Sequence, residues 1–177
     1  LFLGTGFSLA NAGKQSTTGL EMDFRWQPIE AFQGTLAATF LDPLYDSFMG
    51  ASGITGPTDL SGTQPPGIHE VSVTATGAYS FSLGNATGFV RAEFIYEDEV
   101  QVVENTPASV ASREVSTLNA SIGLAWDNGF EAMLWGRNIN NDEYLLSAFP
   151  SVAQAGSYSG YPNQPRTYGL TVRRYFD

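Results

Sequence analysis

Leu20, Met22, Phe24 and Trp26 alternate along the chain with Glu21, Asp23, Arg25 and Gln27. That period of two puts an apolar row on one face of an extended strand and a charged row on the other. Pro28, which lacks an N–H for a ladder, is expected to end this strand. After a turn at 28–31 the alternation resumes, with Phe32, Leu36, Ala38 and Phe40 opposing Gln33, Thr35 and Thr39 until Asp42-Pro43. His69 to Leu83 carries the cleanest pattern: Val71, Val73, Ala75, Tyr79, Phe81 and Leu83 oppose Glu70, Ser72, Thr74, Thr76, Ser80 and Ser82. Gly88 to Val100 sets Val90, Ala92, Phe94 and Tyr96 against Arg91, Glu93, Glu97 and Glu99, and Val115 to Trp126 sets Leu118, Ala120, Ile122, Leu124 and Trp126 against Asn119, Ser121 and Gly123. Asp127-Asn128-Gly129 is a hairpin signal, because Asn-Gly readily takes the positive φ of a type I′ turn. Its partner strand, Phe130 to Asn140, alternates poorly and leaves the direction of Trp135 open. Leu1 to Leu9 reads as a first strand and Arg166 to Phe176 as a closing one, so about eight strands are expected.

The connections alternate in length. Tight turns follow Gln27, Leu83 and Trp126, whereas long Gly-, Pro-, Ser- or Asn-rich segments follow Leu41, Val100 and Asn140. An up-and-down meander gathers the tight turns at one end and the long loops at the other. Outer-membrane β-barrels show this asymmetry, with short periplasmic turns and long extracellular loops.

Composition sharpens the choice between a soluble sandwich and a barrel in lipid. The 177 residues carry 15% charged side chains and 13% aromatic ones, against about 25% charged in an ordinary soluble domain. Each strand offers about four large apolar side chains on one face, and leaving one in water costs roughly 1.5–3 kcal/mol relative to burial. Either a second sheet or lipid must cover them. The polar faces are mostly Ser, Thr, Gln and Asn with isolated charges, and Trp26 and Trp126 sit on the apolar side next to tight turns, where interfacial aromatics are expected. These features favour an all-β, antiparallel up-and-down transmembrane barrel segment over a sandwich. No continuous apolar run reaches the roughly 18–20 residues of a spanning helix, but a spanning strand needs only about 9–11 alternating ones. The net charge of −10 argues against a nucleic-acid partner, which requires a basic patch. With no cysteine there is no thiolate metal site. The chain opens inside an apolar segment without Met, as expected of the C-terminal part of a longer exported protein whose signal lies upstream.

Four passages carry a family resemblance: NAGKQSTTGLEMDFRWQPIEAFQGTLAATFLDPLYDSF, LSGTQPPGIHEVSVTATGAYSF, LWGRNINNDEY and PNQPRTYGLTVRRYF. Together they resemble the C-terminal barrel of TonB-dependent outer-membrane receptors, whose W-G-x-N-x-x-[ND]-x-x-Y box and terminal P-x-x-P-R-T-Y-G strand the last two passages match. The resemblance implies that residues 1–177 are the C-terminal part of a larger barrel, typically of 22 strands with a plugged lumen. The plug, and the segment that engages the TonB-type energy-coupling protein, would lie outside these residues. It also implies outer-membrane lipid as solvent, a ferric siderophore or similar bulky nutrient as cargo, and a closing strand read by the barrel-assembly machinery through Tyr168, Leu170, Val172 and Phe176. Arg174 interrupts that terminal series, with snorkelling to headgroups open to it near a rim, and Asp177 follows the aromatic.

Candidate chemistry is sparse. Glu21, Asp23, Arg25, Arg91 and Glu93 are expected to face the lumen and to pair with one another across neighbouring strands. Tyr144, Phe149, Tyr158 and Tyr161 in the last long loop are the candidate ligand contacts, since loops carry specificity on a rigid scaffold. Glu97, Asp98 and Glu99 have the oxygen chemistry of a divalent-cation site but read more simply as a solvated loop base. His69, the single histidine, reads as a strand-start residue without the partners of a zinc site or a Ser-His triad. Gly156-Ser157-Tyr158-Ser159-Gly160 puts Tyr where a nucleophile elbow needs its Ser. No catalytic residue, cofactor or metal is therefore nominated. The functional expectation is uptake by active transport, not enzymatic turnover. Two further readings stand beside it: a self-contained eight-stranded barrel with a structural or adhesin role, and an outer-membrane hydrolase.

Overall fold

Strands form where the period-two pattern predicts them. The computed structural model describes residues 2–3, 6–7, 13–53, 56–103, 106–151, 154 and 156–176. In chain order the elements are β1 (Phe2–Leu3), β2 (Gly6–Phe7), β3 (Lys14–Ile29), β4 (Phe32–Ser47), β5 (Ala51–Gly53), β6 (Gly56–Thr58), β7 (Val71–Leu83), β8 (Ala86–Gln101), the single-turn helix α1 (Ala108–Ala111), β9 (Ser112–Trp126), β10 (Phe130–Arg137), β11 (Leu145–Pro150), β12 (Tyr158–Pro162) and β13 (Thr167–Arg174). Seven strands join one antiparallel sheet in the order β13-β10-β9-β8-β7-β4-β3, a meander with no crossover. The tight turns β3–β4, β7–β8 and β9–β10 fall at one end, and the long connections 48–70, 102–111 and 138–166 at the other.

Of the about eight strands expected, seven join this sheet among the described residues; β1 and β2 pair with each other, Phe2 opposite Phe7, and Leu1, Gly4, Thr5, Ser8 and Leu9 of the expected first strand lie outside the described residues. Three expectations need correction. Pro28 does not end β3, which runs on to Ile29 through a register irregularity after Trp26; β3 is an edge strand, where a missing N–H costs no ladder bond. Pro43 does not end β4, because it pairs opposite Thr17. The N–H groups of Leu41 and Tyr45, of the same parity, point away from β3 to Glu70 and Thr63, so the nitrogen of Pro43 faces a side where no strand is paired. The last long loop is itself structured, as β11 and β12 form a hairpin with Phe149 opposite Ser159.

The register lines up the apolar positions of successive strands. One row runs Phe32, Tyr79, Val90, Ile122, Leu134, Leu170, and another, beyond the small-residue row of Gly34, Gly77, Ala92 and Ala120, runs Phe24, Leu36, Ala75, Phe94, Leu118. A one-residue slip between any pair would transfer a strand's whole apolar set to the other face. The rows are open: Leu20 is 58% exposed, Phe24 60%, Ile122 50%, Leu134 56% and Leu170 70%. No second sheet is stacked on them among the described residues. A soluble domain rarely leaves so large a contiguous apolar surface uncovered. The buried cluster that does form, Tyr45, Phe48 and Ala51 with Leu60 against it, lies at the long-loop end, where the Tyr45 and Phe48 rings meet edge-on at 4.9 Å.

Candidate functional site

The opposite face of the sheet holds the charges nominated from sequence. Arg25, Thr35, Thr76, Glu93 and Asn119 share one row, and Ala78, Arg91, Ser121, Trp135 and Gly169 another. Glu21 and Asp23 lie on the same face of β3. Their partners differ from the cross-strand pairs expected. Arg25 meets Asp23 on its own strand at 3.2 Å. Arg91 places its guanidinium 4.7 Å from the Phe89 ring, and Glu93 accepts a hydrogen bond from Asn119 Nδ2 at 2.9 Å. Residues two apart on a strand share a face, so Asp23 and Phe89 are within reach of Arg25 and Arg91. Cross-strand ion pairs form elsewhere: Arg173 to Glu131 at 2.9 Å links β13 to β10, Lys14 to Asp46 at 3.4 Å links β3 to β4, and Arg113 to Glu97 at 3.4 Å links β9 to β8.

A trough of about 600 Å³ opens on this polar face, lined by Arg91, Glu93, Asn119, Trp135, Arg137 and Arg173 among others. Trp135 points into it. Its Nε1 donates to Thr171 Oγ1 at 3.1 Å, its ring covers the space a side chain would need at Gly169, and the Arg137 guanidinium sits 5.4 Å from the ring centroid. Of the eight cationic side chains in this acidic chain, three line this trough. Arg137, Arg173, Trp135 and Thr171 were missed from sequence, although continuing the parity of Ser121 across the ladder to β10 and β13 selects them. A second recess beyond Asn119 and Arg137 is lined by Glu97, Arg113, Asn138, Tyr144 and Asn163, so the polar surface continues toward the long loops.

The N-I-N-N-D segment after β10 closes the sheet where that strand leaves it. Asn140 pairs with the exposed edge of β9: its Oδ1 accepts from Leu118 N–H at 2.9 Å and its Nδ2 donates to the Ser116 carbonyl. Asp142 Oδ2 accepts from Ser116 N–H at 2.6 Å. These side chains supply partners that backbone groups at the end of a ladder still require. Asn138, buried and at φ 48°, receives Asp142 N–H at 2.7 Å and donates to the carbonyls of Asp142 and Gln164 at 2.8 and 3.1 Å. Asn163 Nδ2 reaches the same Asp142 carbonyl at 2.9 Å, and Arg166 donates from Nη1 to Ile139 O at 3.3 Å. The two boxes of the sequence resemblance are therefore one joint in space, and its role is structural.

His69 is also more than a strand-start residue. Its Nδ1 lies 2.6 Å from the Asp98 carbonyl, which assigns the proton there; Nε2 then accepts from Arg113 Nη2 at 2.8 Å. Glu97 Oε2 is 3.0 Å from that Nε2 and 3.4 Å from Arg113 Nη2. Glu97 and Asp98 are thus partly buried members of an ion cluster rather than a solvated loop base, and the Arg113 guanidinium occupies the place a cation would take. Among the described residues no group of His, Asp and Glu is arranged to hold a metal ion.

The loop aromatics do not form one cluster. Phe149 and Tyr161 face each other across the β11–β12 hairpin, ring centroids 5.9 Å apart, and both are exposed. Tyr158 lies on the other face of the same hairpin, and Tyr144 lines the second recess. At the short-turn end Trp26 packs edge-on against Phe32 at 5.1 Å, and Trp126 lies half-buried beside the Asp127–Gly129 turn. Tyr168, Leu170, Val172 and Phe176 are exposed along β13 and just beyond it; Asp177 lies outside the described residues.

By sequence the chain matches no protein-family model, and it finds no match among curated proteins. Its fold has solved counterparts. It is similar to the ferric yersiniabactin uptake receptor FyuA from Yersinia pestis, with a TM-score of 0.78 at 15% identity over 96% of this chain and 25% of that one. It is also similar to BauA, the ferric preacinetobactin receptor from Acinetobacter baumannii, with a TM-score of 0.65 at 15% identity over 89% of this chain and 22% of that one. The likeness is one of fold, that of a β-barrel segment, and the chain spans about a quarter of the length of the structures it matches.

Proposed function

We propose that residues 1–177 are the C-terminal part of the barrel of a TonB-dependent outer-membrane transporter that takes up a bulky, scarce nutrient, a ferric siderophore first among the candidates. The observation that carries this reading is the seven-stranded meander with open apolar rows on one face and a polar trough on the other, with all short turns at one end. Lipid is the solvent that makes such rows stable. The two similar structures, a ferric yersiniabactin uptake receptor and a ferric preacinetobactin receptor, support the choice of cargo. In this reading the polar face lines the lumen, Trp26 and Trp126 mark the membrane boundary, Phe149 and Tyr161 present a stacking surface to the ligand, and Tyr144 and Tyr158 are further candidate contacts. The energy-coupling contact and the plug belong to the remainder of the protein, the barrel-assembly machinery reads β13, and no covalent chemistry is assigned to these residues.

A self-closed barrel is less well supported, because β3 and β13 stand at opposite edges of the sheet and do not pair. The deciding experiment is uptake of radiolabelled iron by a strain lacking the parent gene, under iron limitation with a panel of siderophores. Loss of uptake of one ferric chelate, restored by the gene and weakened by Tyr161→Ala, is the expected result. Unchanged iron uptake with every chelate would move the assignment to another nutrient.

A further inference from the structure

The apolar face has one cation in its rows at the short-turn end. Arg174 stands opposite Phe130 and follows Leu170 and Val172 in the same parity, so it shares their face, whereas Arg25, Arg91, Arg137 and Arg173 share the polar one. Its guanidinium does not extend freely. It lies 4.6 Å from the Phe130 ring centroid and 5.8 Å from that of Phe176, and Nη1 donates to the Asn128 carbonyl. Nε and Nη2 form no hydrogen bond among the described residues. Glu131, on the neighbouring strand, is on the opposite face and is taken up by Arg173 at 2.9 Å and Tyr175 Oη at 3.4 Å. Arg174 is therefore a positioned fork with donors unused among the described residues, at the short-turn end of the open apolar rows and on the same face as Trp126 and Leu83.

We infer that Arg174, cradled by Phe130 and Phe176, binds the headgroup phosphate of a phospholipid in the leaflet that meets the short turns, while the acyl chains lie along Val172, Leu170 and Leu134. The inference rests on the membrane reading above. A guanidinium matches a phosphate with two parallel N–H donors. The rings exclude water from one side and so strengthen the contact. A bare anion has little reason to approach a protein of net charge −10, but a lipid phosphate is delivered there by its own chains.

The test uses the full-length protein purified in detergent, with native mass spectrometry following binding of phosphatidylglycerol. Arg174→Gln is expected to weaken the tightest lipid adduct by about fivefold or more, on the scale of one basic residue at a membrane surface. Arg174→Lys should restore part of it, and Lys14→Gln, at the far end of the sheet, should change nothing. The faster gel migration of an unheated, folded barrel confirms that each variant is assembled, and Phe130→Leu gives a second, milder probe of the same cradle. Unaltered phosphatidylglycerol binding by Arg174→Gln overturns the inference, as does displacement of the lipid by inorganic phosphate at matched concentration. If Arg174→Gln binds lipid normally while the protein still fractionates with membranes, the membrane reading stands without this site. Recovery of the protein in the soluble fraction would remove both.

Discussion

The indole of Trp135 on β10 lies across Gly169 on β13, directly opposite it in the ladder. The absent side chain on one strand makes room for the largest one on the next, and Thr171 fixes the ring through its hydroxyl. Gly169→Ala is expected to push the indole off its site and to destabilise the barrel by about 1–3 kcal/mol, the usual cost of overpacking. Urea denaturation of the folded protein in detergent measures this; an unchanged midpoint would show that the ring has a second place to go.

Asn138 joins three segments from a left-handed backbone conformation that Asn tolerates better than most residues. Asn138→Ala removes its hydrogen bonds and keeps a Cβ at positive φ, and should cost about 2–4 kcal/mol. Asn138→Gly restores the backbone freedom but not the bonds, so it should fall between Ala and wild type. Equal midpoints for Gly and wild type would assign the whole effect to the backbone.

A charge should be tolerated on one face and not on the other. Ile122→Arg and Leu134→Arg place a guanidinium in the open apolar rows and should each cost about 2–4 kcal/mol in a bilayer. Ser121→Arg, one residue away on the polar face, should stay within about 1 kcal/mol of wild type. Refolding into lipid vesicles from urea supplies the three values, and similar costs on both faces would argue for a core on each.

Asp59 sits below its ordinary value of 3.8 because the Ser61 hydroxyl and then the Ser61 N–H donate to its carboxylate. A depressed carboxylate stabilises its turn at all pH values above its unfolded pKa and loses that contribution as pH falls through the folded one. Exchange of the Ser61 amide should therefore stay slow through pH 4 and rise only in stronger acid, and Asp59→Asn should abolish the acid step. An acid step that persists in the Asn variant would place its cause elsewhere.

Much of this was legible in the chain because burial on one face of a sheet writes a period of two. Val71 to Leu83 and Val115 to Trp126 appear where alternation puts them. β10 was obscure because both of its faces are apolar, Ala132 and Leu134 on one and Met133 and Trp135 on the other, which leaves no contrast to read. Pro28 and Pro43 misled because whether a proline is tolerated depends on which side of the strand has a neighbour, a tertiary fact. The β11–β12 hairpin was hidden by its short strands. The charges on the polar face could be placed but not paired, since Arg25 and Arg91 take partners two residues away on their own strands rather than across the register. Asn138 and Asn140 left a signal, three Asn and an Asp within five residues after a strand, whose meaning depended on finding the unpaired edge of β9.

The central claim is that the apolar rows face lipid and the polar rows an aqueous interior. This chain contributes no cysteine of its own, so spin labels placed singly at 117, 120, 121, 122, 124 and 125 in the membrane-embedded full-length protein can be compared by electron paramagnetic resonance. Collision with lipid-soluble oxygen should be high at 120, 122 and 124, and collision with a water-soluble nickel chelate high at 117, 121 and 125. The reverse alternation, or labels at 120, 122 and 124 shielded from both reagents, would contradict the account.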